Sequence, residues 1–352
     1  MNKETDTALR FESRTLTANF KDARGREIMR TIEVRTHPIT GRRCRITFSR
    51  SLECESETSS LPPPPPDADR TRECPFCPGQ LENQTPLLHP GISPSGRLRK
   101  GDSVLFPNLY PYGGYSAVSL FDAQHFVEIG TADAGTYGDS FINCADYLAK
   151  VADYDPQAIY MAITQNHLPA AGGSLVHPHL QVNADRIASN HHAALMQRAA
   201  QYQQATGRLI FSDYLRAEKL NARRLIGTTG NWHWLAAYAP EGFFEIWAIY
   251  PGRTSLFQVR PSQWQDLALG VANAQRFYRS LNRNSYNLGL LTVCLDPSPL
   301  ELRVVLIARA NYAPWVRSDL TAYEIMLGDM ATFNAPEETA ELARPFWRQQ
   351  AI

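Results

Sequence analysis

The sequence predicts an α+β protein built from two similar halves. Alternating polar and apolar residues predict strands early in the chain, as over residues 28–35. Apolar spacing then predicts a helix over 136–153 and a strand over 158–163, and a weaker version of the same order follows, with an amphipathic helix over 262–282. A chain of 352 residues can hold two ordinary domains or one pseudo-symmetric unit made of a repeated half.

We place the division between the halves at residues 1–190 and 191–352. In the first half, strands over 28–35 and 43–48 should form a hairpin around a turn at 37–41. Residues 61–69 include five consecutive prolines, which can form neither a helix nor a strand ladder and predict an extended connector.

Composition and charge restrict the function. Hydrophobic residues make up 43% of the chain and charged residues 20%, as in a globular protein with a sizeable core. With 35 basic and 35 acidic residues, the net charge is zero, which argues against nonspecific binding of nucleic acid or of an anionic membrane. The first 20 residues lack the apolar core of a secretory signal, and no later run has the length of a membrane helix, so we expect a cytoplasmic protein.

A cysteine pair indicates a metal site. The six cysteines are at positions 44, 54, 74, 77, 144 and 294. Cys74 and Cys77, with Pro75 between them, form a knuckle that places two sulfurs on one side of a tight turn, as a tetrahedral metal requires. A thioredoxin-like redox site would need a following helix, and Pro78 and Gly79 argue against one. Two further ligands are therefore expected from elsewhere in the sequence.

The stretch from Gly172 to Gln181 carries the candidate chemistry. If its second half is extended, His177, His179 and Gln181 share one face. His179 could act as nucleophile or general base, and Gln181 could donate an amide proton to an oxyanion. Because proline is disfavoured inside sheets, Pro178 predicts an accessible strand at an edge rather than a central one.

A turn of small residues precedes these histidines. Gly172 and Gly173 should offer bare backbone N–H groups, and Ser174 a hydroxyl, which together suit a phosphate. The alternative interpretation is a surface strand with two unrelated histidines. Downstream, residues 188–203 predict a helix on which His191 and His192 are both solvated.

Asn166, the Gly-Gly-Ser turn and the His-Pro-His-Leu-Gln run resemble the active-site signature of galactose-1-phosphate uridylyltransferases, members of the histidine-triad superfamily. In that family the second histidine of His-Pro-His carries the nucleoside monophosphate covalently, which implies that role for His179. The resemblance also implies two tandem histidine-triad-like halves, each an antiparallel sheet with packed helices. The second half is expected to be a degenerate, catalytically silent copy.

The resemblance further implies a structural zinc ion held by Cys74, Cys77, His125 and His177. It assigns nucleotide or phosphate binding to Arg50, Asn108, Asn166, Gly172, Gly173 and Arg317, although Arg50 is equally well a solvated charge at a strand end. No accessory iron site is expected, because the family's second set of histidines is replaced by Leu291, Ala308 and Ala310.

These observations predict a nucleotidyltransferase that moves a nucleoside monophosphate from a nucleotide-sugar to a sugar phosphate through His179. A lysine and a tyrosine that the family uses for the sugar phosphate are Tyr323 and Gly328 here, so the acceptor stays open. The alternatives are a phosphorylase that uses inorganic phosphate, a hydrolase that uses water, and a binding protein without chemistry. Pro178 favours the transferase, because those phosphorylases more often carry serine there. A homodimer is expected.

Overall fold

The computed structural model describes residues 9–47, 61–309, 319–321 and 323–348. In the first half, the strands are β1 (Glu12–Lys21), β2 (Glu27–Thr36), β3 (Arg43–Thr47), β4 (Leu98–Lys100), β5 (Ser103–Pro107), β6 (Tyr115–Leu120), β7 (Tyr160–His167) and β8 (His179–Asp185). The later strands are β9 (Leu225–Thr229), β10 (Trp232–Ala236), β11 (Phe243–Ile249), β12 (Tyr286–Val293), β13 (Arg303–Ala308) and β14 (Met330–Thr332). The helices are α1 (Leu81–Gln84), α2 (Ala134–Tyr154), α3 (Asn190–Thr206), α4 (Ile210–Asn221), α5 (Pro261–Ser280) and α6 (Pro336–Arg348). None of these helices is both long and apolar enough to cross a membrane.

One ten-stranded sheet joins the two halves. Its strand order is β4-β5-β6-β8-β7-β12-β13-β11-β10-β9. Counted inward from one edge the order is β4-β5-β6-β8-β7, and from the other edge it is β9-β10-β11-β13-β12. The two halves therefore repeat the same strand order. The halves meet where β7 and β12 pair antiparallel, with Thr164 opposite Gly289. A pseudo-two-fold axis perpendicular to the sheet near this pair relates the two halves. Equivalent side chains of the two halves therefore project from the same face of the sheet. The boundary between residues 190 and 191 stays a prediction.

The long helices α2 and α5 occupy equivalent positions in the two halves. Each follows the third of the five strands that its half contributes to the ten-stranded sheet and precedes the fourth, and the two helices pack against each other. Phe141 of α2 stacks on Trp264 of α5, with ring centroids 5.8 Å apart. Beneath them lie fully buried strand residues such as Ile163 and Leu290. The apolar core on this face is therefore continuous across the seam between the halves.

Other elements cover the opposite face of the second half. A four-stranded sheet of order β1-β2-β3-β14, together with α3 and α4, packs there around a separate apolar cluster. Trp247 and Ile249 of β11 point into that cluster, whereas Ile246 and Ala248 point toward α5. This alternation is what a strand buried on both faces requires.

The sequence located most of these elements. The hairpin around residues 37–41 is formed by β2 and β3, and the helices predicted over 136–153 and 262–282 are α2 and α5. The edge position predicted from Pro178 is wrong, because β8 pairs with β6 on one side and β7 on the other. Pro178 precedes the first residue of the strand, so its missing N–H lies outside the ladder.

The two histidines of α3 differ in their surroundings. His191 is exposed, as predicted. The prediction that His192 is solvated is wrong: it is buried, and its Nε2 lies 3.0 Å from the carbonyl oxygen of Met161. The helix turns this side chain toward the central sheet, where the ring satisfies a strand carbonyl.

Candidate active site and metal centre

His179 is the first residue of β8 and is 5% exposed. Its Nδ1 lies 2.8 Å from the carbonyl oxygen of His177. Burial lowers the pKa of His179, and the hydrogen bond to the His177 carbonyl opposes that shift. A neutral ring that donates from Nδ1 leaves its lone pair on Nε2. The fixed tautomer therefore leaves Nε2 as the ring nitrogen that could act as a nucleophile.

The sheet places polar side chains in a row beside His179. Asn166 of β7 pairs with Asn287 of β12, and Gln181 of β8 pairs with Thr164 of β7. Extending the β7–β8 register by two residues puts Asn166 next to His179. The three side chains of His179, Asn166 and Asn287 thus lie on adjacent strands, about 4.8 Å apart from one strand to the next. Gln181 projects from the same face of β8 as His179, as predicted.

A hydrogen-bond network from the second half holds Asn166. The side-chain amide of Asn287 donates to Asn166 Oδ1 at 2.7 Å and to the carbonyl of Ala171 at 2.9 Å. Its own oxygen accepts from Arg309 at 2.6 Å, and Arg309 forms a two-point ion pair with Asp319. The Asn166 amide nitrogen consequently faces the turn before β8. Asn287 was missed in the sequence, because only the pairing of β7 with β12 brings it here.

The glycine turn differs from its prediction in one respect. The N–H groups of Gly172 and Gly173 are not bare: they donate to the carbonyls of Pro169 and Leu168, at 2.9 and 3.1 Å. Their role is conformational instead. Gly172 has φ of +91°, and a Cβ on Gly173 would lie 3.0 Å from the carbonyl oxygen of Asn166. Ser174 is exposed at the end of this turn.

Cys74, Cys77, His125 and His177 come together as predicted, with their ligand atoms all within 4.8 Å of one another. His125 Nδ1 is 3.2 Å from the sulfur of Cys77, and His177 Nδ1 is 3.7 Å from the same sulfur. A tetrahedral ion with ordinary zinc bond lengths would separate a sulfur from a nitrogen ligand by about 3.6 Å. The donor set and its spacing therefore fit a closed, four-ligand metal centre.

The outer contacts of this cluster orient both histidines. The Nε2 atom of His125 lies 2.9 Å from the carbonyl of Asp67, and that of His177 lies 3.3 Å from the carbonyl of Asp122. Each ring can thus donate from Nε2 and offer Nδ1 to a metal. Asp67 belongs to the proline-rich connector, so the cluster also secures that segment.

The cluster is coupled to the candidate nucleophile. Phe76, in the knuckle between Cys74 and Cys77, packs edge-on against the His179 ring at 5.5 Å between centroids. His177, whose carbonyl fixes the His179 tautomer, is itself a member of the cluster. A metal here would hold the nucleophile in place without touching the reacting atoms.

His167 is a second residue that the sequence reasoning missed. It is buried and stacks on Tyr286, and its Nε2 has no hydrogen-bond partner among the described residues. Burial and the nearby His179 lower the pKa of His167 to about 4. A neutral imidazole at this position adds no positive charge beside the nucleophile.

The remaining predicted residues lie further away or outside the described part of the chain. Asn108 follows β5 and donates its N–H to the carbonyl of Ser116, four residues along β6 from the partner of His179. That separation is about 13 Å. Asn108 borders a cavity of about 680 Å³. Arg50, Ala310 and Arg317 lie outside the described residues.

Two half-sheets of the same strand order, each with one long helix in an equivalent position, define a tandem α+β fold. More particularly, the chain has the fold of the galactose-1-phosphate uridylyltransferase-like proteins, which confirms the α+β class and the resemblance predicted from the motif. An ADP-glucose phosphorylase from Arabidopsis thaliana, crystallised with ADP-glucose, superposes with a TM-score of 0.69 at 19% identity, covering 89% of this chain and 98% of that chain. A uridylyltransferase superposes with a TM-score of 0.66 at 18% identity, covering 91% of this chain and 99% of that one.

Sequence comparison finds relatives along nearly the whole chain. An uncharacterized protein of Archaeoglobus fulgidus is 28% identical over 319 residues, which cover 90% of this chain and 93% of the relative. The Arabidopsis thaliana ADP-glucose phosphorylase is 24% identical over 344 residues, covering 89% and 92% of the two chains. No family model matches the sequence.

Proposed function

We propose that this protein is a nucleotidyltransferase that takes a nucleoside monophosphate from a nucleotide-sugar onto His179 and passes it to a phosphate acceptor. The observation that carries the proposal is the 2.8 Å contact between His179 Nδ1 and the carbonyl of His177. This contact leaves Nε2 unprotonated on a buried, neutral ring. The fold of the uridylyltransferase-like proteins supports the same chemistry.

The reaction divides into two displacements. In the first, Nε2 of His179 forms a bond to the α-phosphorus of the donor, and the bond from phosphorus to the bridging oxygen breaks, releasing a sugar phosphate. In the second, an oxygen of the acceptor phosphate bonds to the phosphorus, and the nitrogen–phosphorus bond breaks. The side-chain amides of Gln181 and Asn166, with the hydroxyl of Ser174, are the groups proposed to meet the charge on the transferring phosphate.

The donor and acceptor are proposed at the level of chemical class. A relative named ADP-glucose phosphorylase favours an ADP-sugar as donor and inorganic phosphate as a second candidate acceptor. Pro178 favours a sugar phosphate as acceptor, as in the transferases. Asn108, about 13 Å along the strands from the nucleophile, is at a suitable distance for the nucleoside end of the donor.

The metal and the assembly complete the proposal. The buried cysteine and histidine cluster suits Zn²⁺, which prefers two thiolates and two imidazoles in a closed structural site. We also propose that residues 1–190 form the catalytic half, that Arg50 and Arg317 bind phosphate groups, that the protein is cytoplasmic, and that it forms a homodimer.

The test is the intact mass of the protein after brief exposure to UDP-, ADP- and GDP-sugars. The expected result is the added mass of one nucleoside monophosphate with one donor class, and no addition in His179→Asn. Subsequent addition of inorganic phosphate or glucose 1-phosphate should discharge the adduct, and the acceptor that discharges it separates the phosphorylase from the transferase. An adduct that persists in His179→Asn would refute the proposed nucleophile, and nucleotide release without any adduct would favour a direct hydrolase.

A further inference from the structure

A second cavity lies on the same face of the sheet as His179, but in the other half. It has a volume of about 370 Å³ and is lined by polar and aromatic side chains from several elements, including His37, Arg42, Glu245, Trp247 and Arg303. Leu195, Leu291 and Val305 supply an apolar wall. Asn287, which holds Asn166, also lines this cavity, whereas His179, Asn166, Gln181 and Ser174 do not.

The pseudo-two-fold axis relates this cavity to the active site. In the first half Gln181 pairs with Thr164, and in the second half Val305 pairs with Gly289. Thr164 and Gly289 form one of the two central pairs of the β7–β12 ladder, and an axis taken through this pair makes Val305 the counterpart of Gln181. Two residues earlier, Arg303 is therefore the counterpart of His179. Each of the two is the first residue of its strand.

Arg303 is a cation without a carboxylate partner among the described residues. Its guanidinium lies over the ring of Trp247 at 4.2 Å and over that of Phe211 at 4.8 Å. Glu245 is nearby, but its two oxygens already accept from the indole N–H of Trp247 and the backbone N–H of Glu241. Burial lowers the pKa of Arg303. A guanidinium held this way keeps its N–H groups available for an anionic ligand.

His37 supplies a second donor to the same cavity. Its Nδ1 accepts from the backbone N–H groups of Ile39 and Thr40, both at 3.1 Å. Burial, with the charges of Arg303 and Arg42, lowers the pKa of His37 to about 3. The ring is therefore neutral and carries its proton on Nε2. Arg42 is engaged by Glu241 at 3.0 Å and the lining His191 is exposed, so Arg303 and His37 are the donors that the surrounding structure holds in place for a ligand.

Glu245 distinguishes between classes of anion. Burial and the charge of Glu241 raise the pKa of Glu245 to about 7. In its ionised form this side chain would repel a ligand carboxylate, which has no proton to donate to it. A phosphate monoester has its second pKa near 6 and can keep one O–H, which can donate to Glu245. The cavity thus matches a group that accepts hydrogen bonds from Arg303 and His37 and donates one to Glu245.

We propose that this cavity is a second binding site, for a small phosphomonoester, with Arg303 and the Nε2–H of His37 holding the phosphate and the leucine and valine side chains contacting the organic part. No transfer takes place there, because a guanidinium cannot serve as the nucleophile that His179 provides. The proposal is independent of the identity of the donor and acceptor in the transfer reaction.

Crystals soaked in tungstate, a heavy analogue of phosphate, locate the site directly. The expected result is an anomalous peak against the guanidinium of Arg303 in the wild-type protein, whether or not another appears at His179. In Arg303→Met the first peak should vanish while any peak at His179 remains. A wild-type crystal with tungstate at His179 alone, or with none bound, would overturn the proposal.

Titration calorimetry with glycerol 3-phosphate and with inorganic phosphate tests the ligand class. Arg303→Met should weaken one site about 100-fold, while Arg348→Met, which removes an exposed arginine at the end of α6, should change nothing. Arg303→Lys retains the charge and replaces the methionine variant if that variant unfolds. Equal affinity for the ester and for inorganic phosphate would overturn the phosphomonoester assignment.

Discussion

Replacement of Asn287 tests whether the second half positions a group in the active site of the first. The Asn287 amide makes three short hydrogen bonds, to Asn166, to the carbonyl of Ala171 and from Arg309, at 2.6 to 2.9 Å, and a longer one of 3.4 Å to the carbonyl of Gln165. Asn287→Ala removes all of them. A neutral bond contributes about 1 kcal/mol and one to a charged group about 1.5 to 3 kcal/mol. Because the site is only partly buried, water offsets some of this loss, and we expect about 3 kcal/mol.

The stability change has a measurable size. Unfolding entropy of about 2.1 cal/mol/K per residue over 352 residues is about 0.74 kcal/mol/K, so the loss corresponds to about 4 °C in Tm. Urea unfolding of wild type and Asn287→Ala measures it. A variant within about 0.5 kcal/mol of wild type, the usual range of an exposed substitution, would refute the network as a stabilising feature.

Asn287→Asp separates positioning from stability. Its carboxylate can still accept from Arg309, and it can accept from Asn166 if that amide turns over. The carbonyl of Ala171 loses its donor, which costs about 1 to 3 kcal/mol, but the bond from Arg309 is retained, so the fold should be less destabilised than in Asn287→Ala. Asn166 would, however, present its oxygen instead of its N–H groups to the transferring phosphate. Loss of one such donor lowers kcat about 100-fold.

The assay is the single-turnover rate of nucleotide addition to His179, followed by intact mass. Asn221→Asp, which makes the same chemical change at the exposed end of α4, is the matched control. Normal addition by Asn287→Asp would refute the idea that Asn166 donates to the phosphate. Addition slower than in Asn287→Ala, in a variant that is more stable than Asn287→Ala, would support it and separate it from a general loss of structure.

Four further outcomes are expected. His179→Asn should abolish nucleotide addition while Tm stays within about 2 °C of wild type, as measured by mass spectrometry and calorimetry; turnover by this variant would contradict the covalent route. Cys74→Ser should lower bound metal from one ion per chain toward zero, measured by elemental analysis, and lower Tm in the same samples; unchanged metal content would remove Cys74 from the ligand set. Gly173→Ala should slow nucleotide addition and destabilise the protein by about 1 to 3 kcal/mol, because the new methyl group meets backbone atoms at 3.0 Å, whereas Gly114→Ala has open space and should change little. The pKa of Glu245 is raised from 4.5 to about 7, so the folded state binds this proton more tightly than the unfolded state does. The contribution of Glu245 to stability is therefore largest below pH 4.5 and falls as the pH rises through 7. The free energy of unfolding of wild type, measured relative to that of Glu245→Gln, should fall by about 3 kcal/mol from pH 4.5 to 8.

The parts of the site that the sequence predicted are those encoded in short, specific motifs. The spacing of Cys74 and Cys77 predicts a metal site, and the His-Pro-His run predicts a nucleophile. Their contacts agree with that interpretation, including the carbonyl that fixes the His179 tautomer. Local patterns also located α2 and α5, because twenty residues of helical periodicity outweigh local exceptions.

The parts that the sequence did not predict depend on pairing between distant strands. Asn287 and Arg303 belong to strands with no unusual local pattern, and their meaning comes from the register across the sheet. The edge position predicted from Pro178 was wrong because proline is disfavoured only inside a strand ladder, and this ladder begins one residue later. The prediction that His192 is solvated was wrong because a single polar residue does not indicate which face of a helix it occupies.

The pairing of β7 with β12 also has a consequence during synthesis. About 120 residues separate the end of β7 from the start of β12, and at about 5 to 20 residues per second the ribosome needs roughly 6 to 24 seconds to make them. Throughout that interval a nascent first half that has already paired β7 with β8 carries an open strand edge, able to recruit a neighbouring chain. Translation speed between the halves, or a chaperone that shields this edge, should therefore influence the yield of native protein more than it would for a protein whose halves fold as separate sheets.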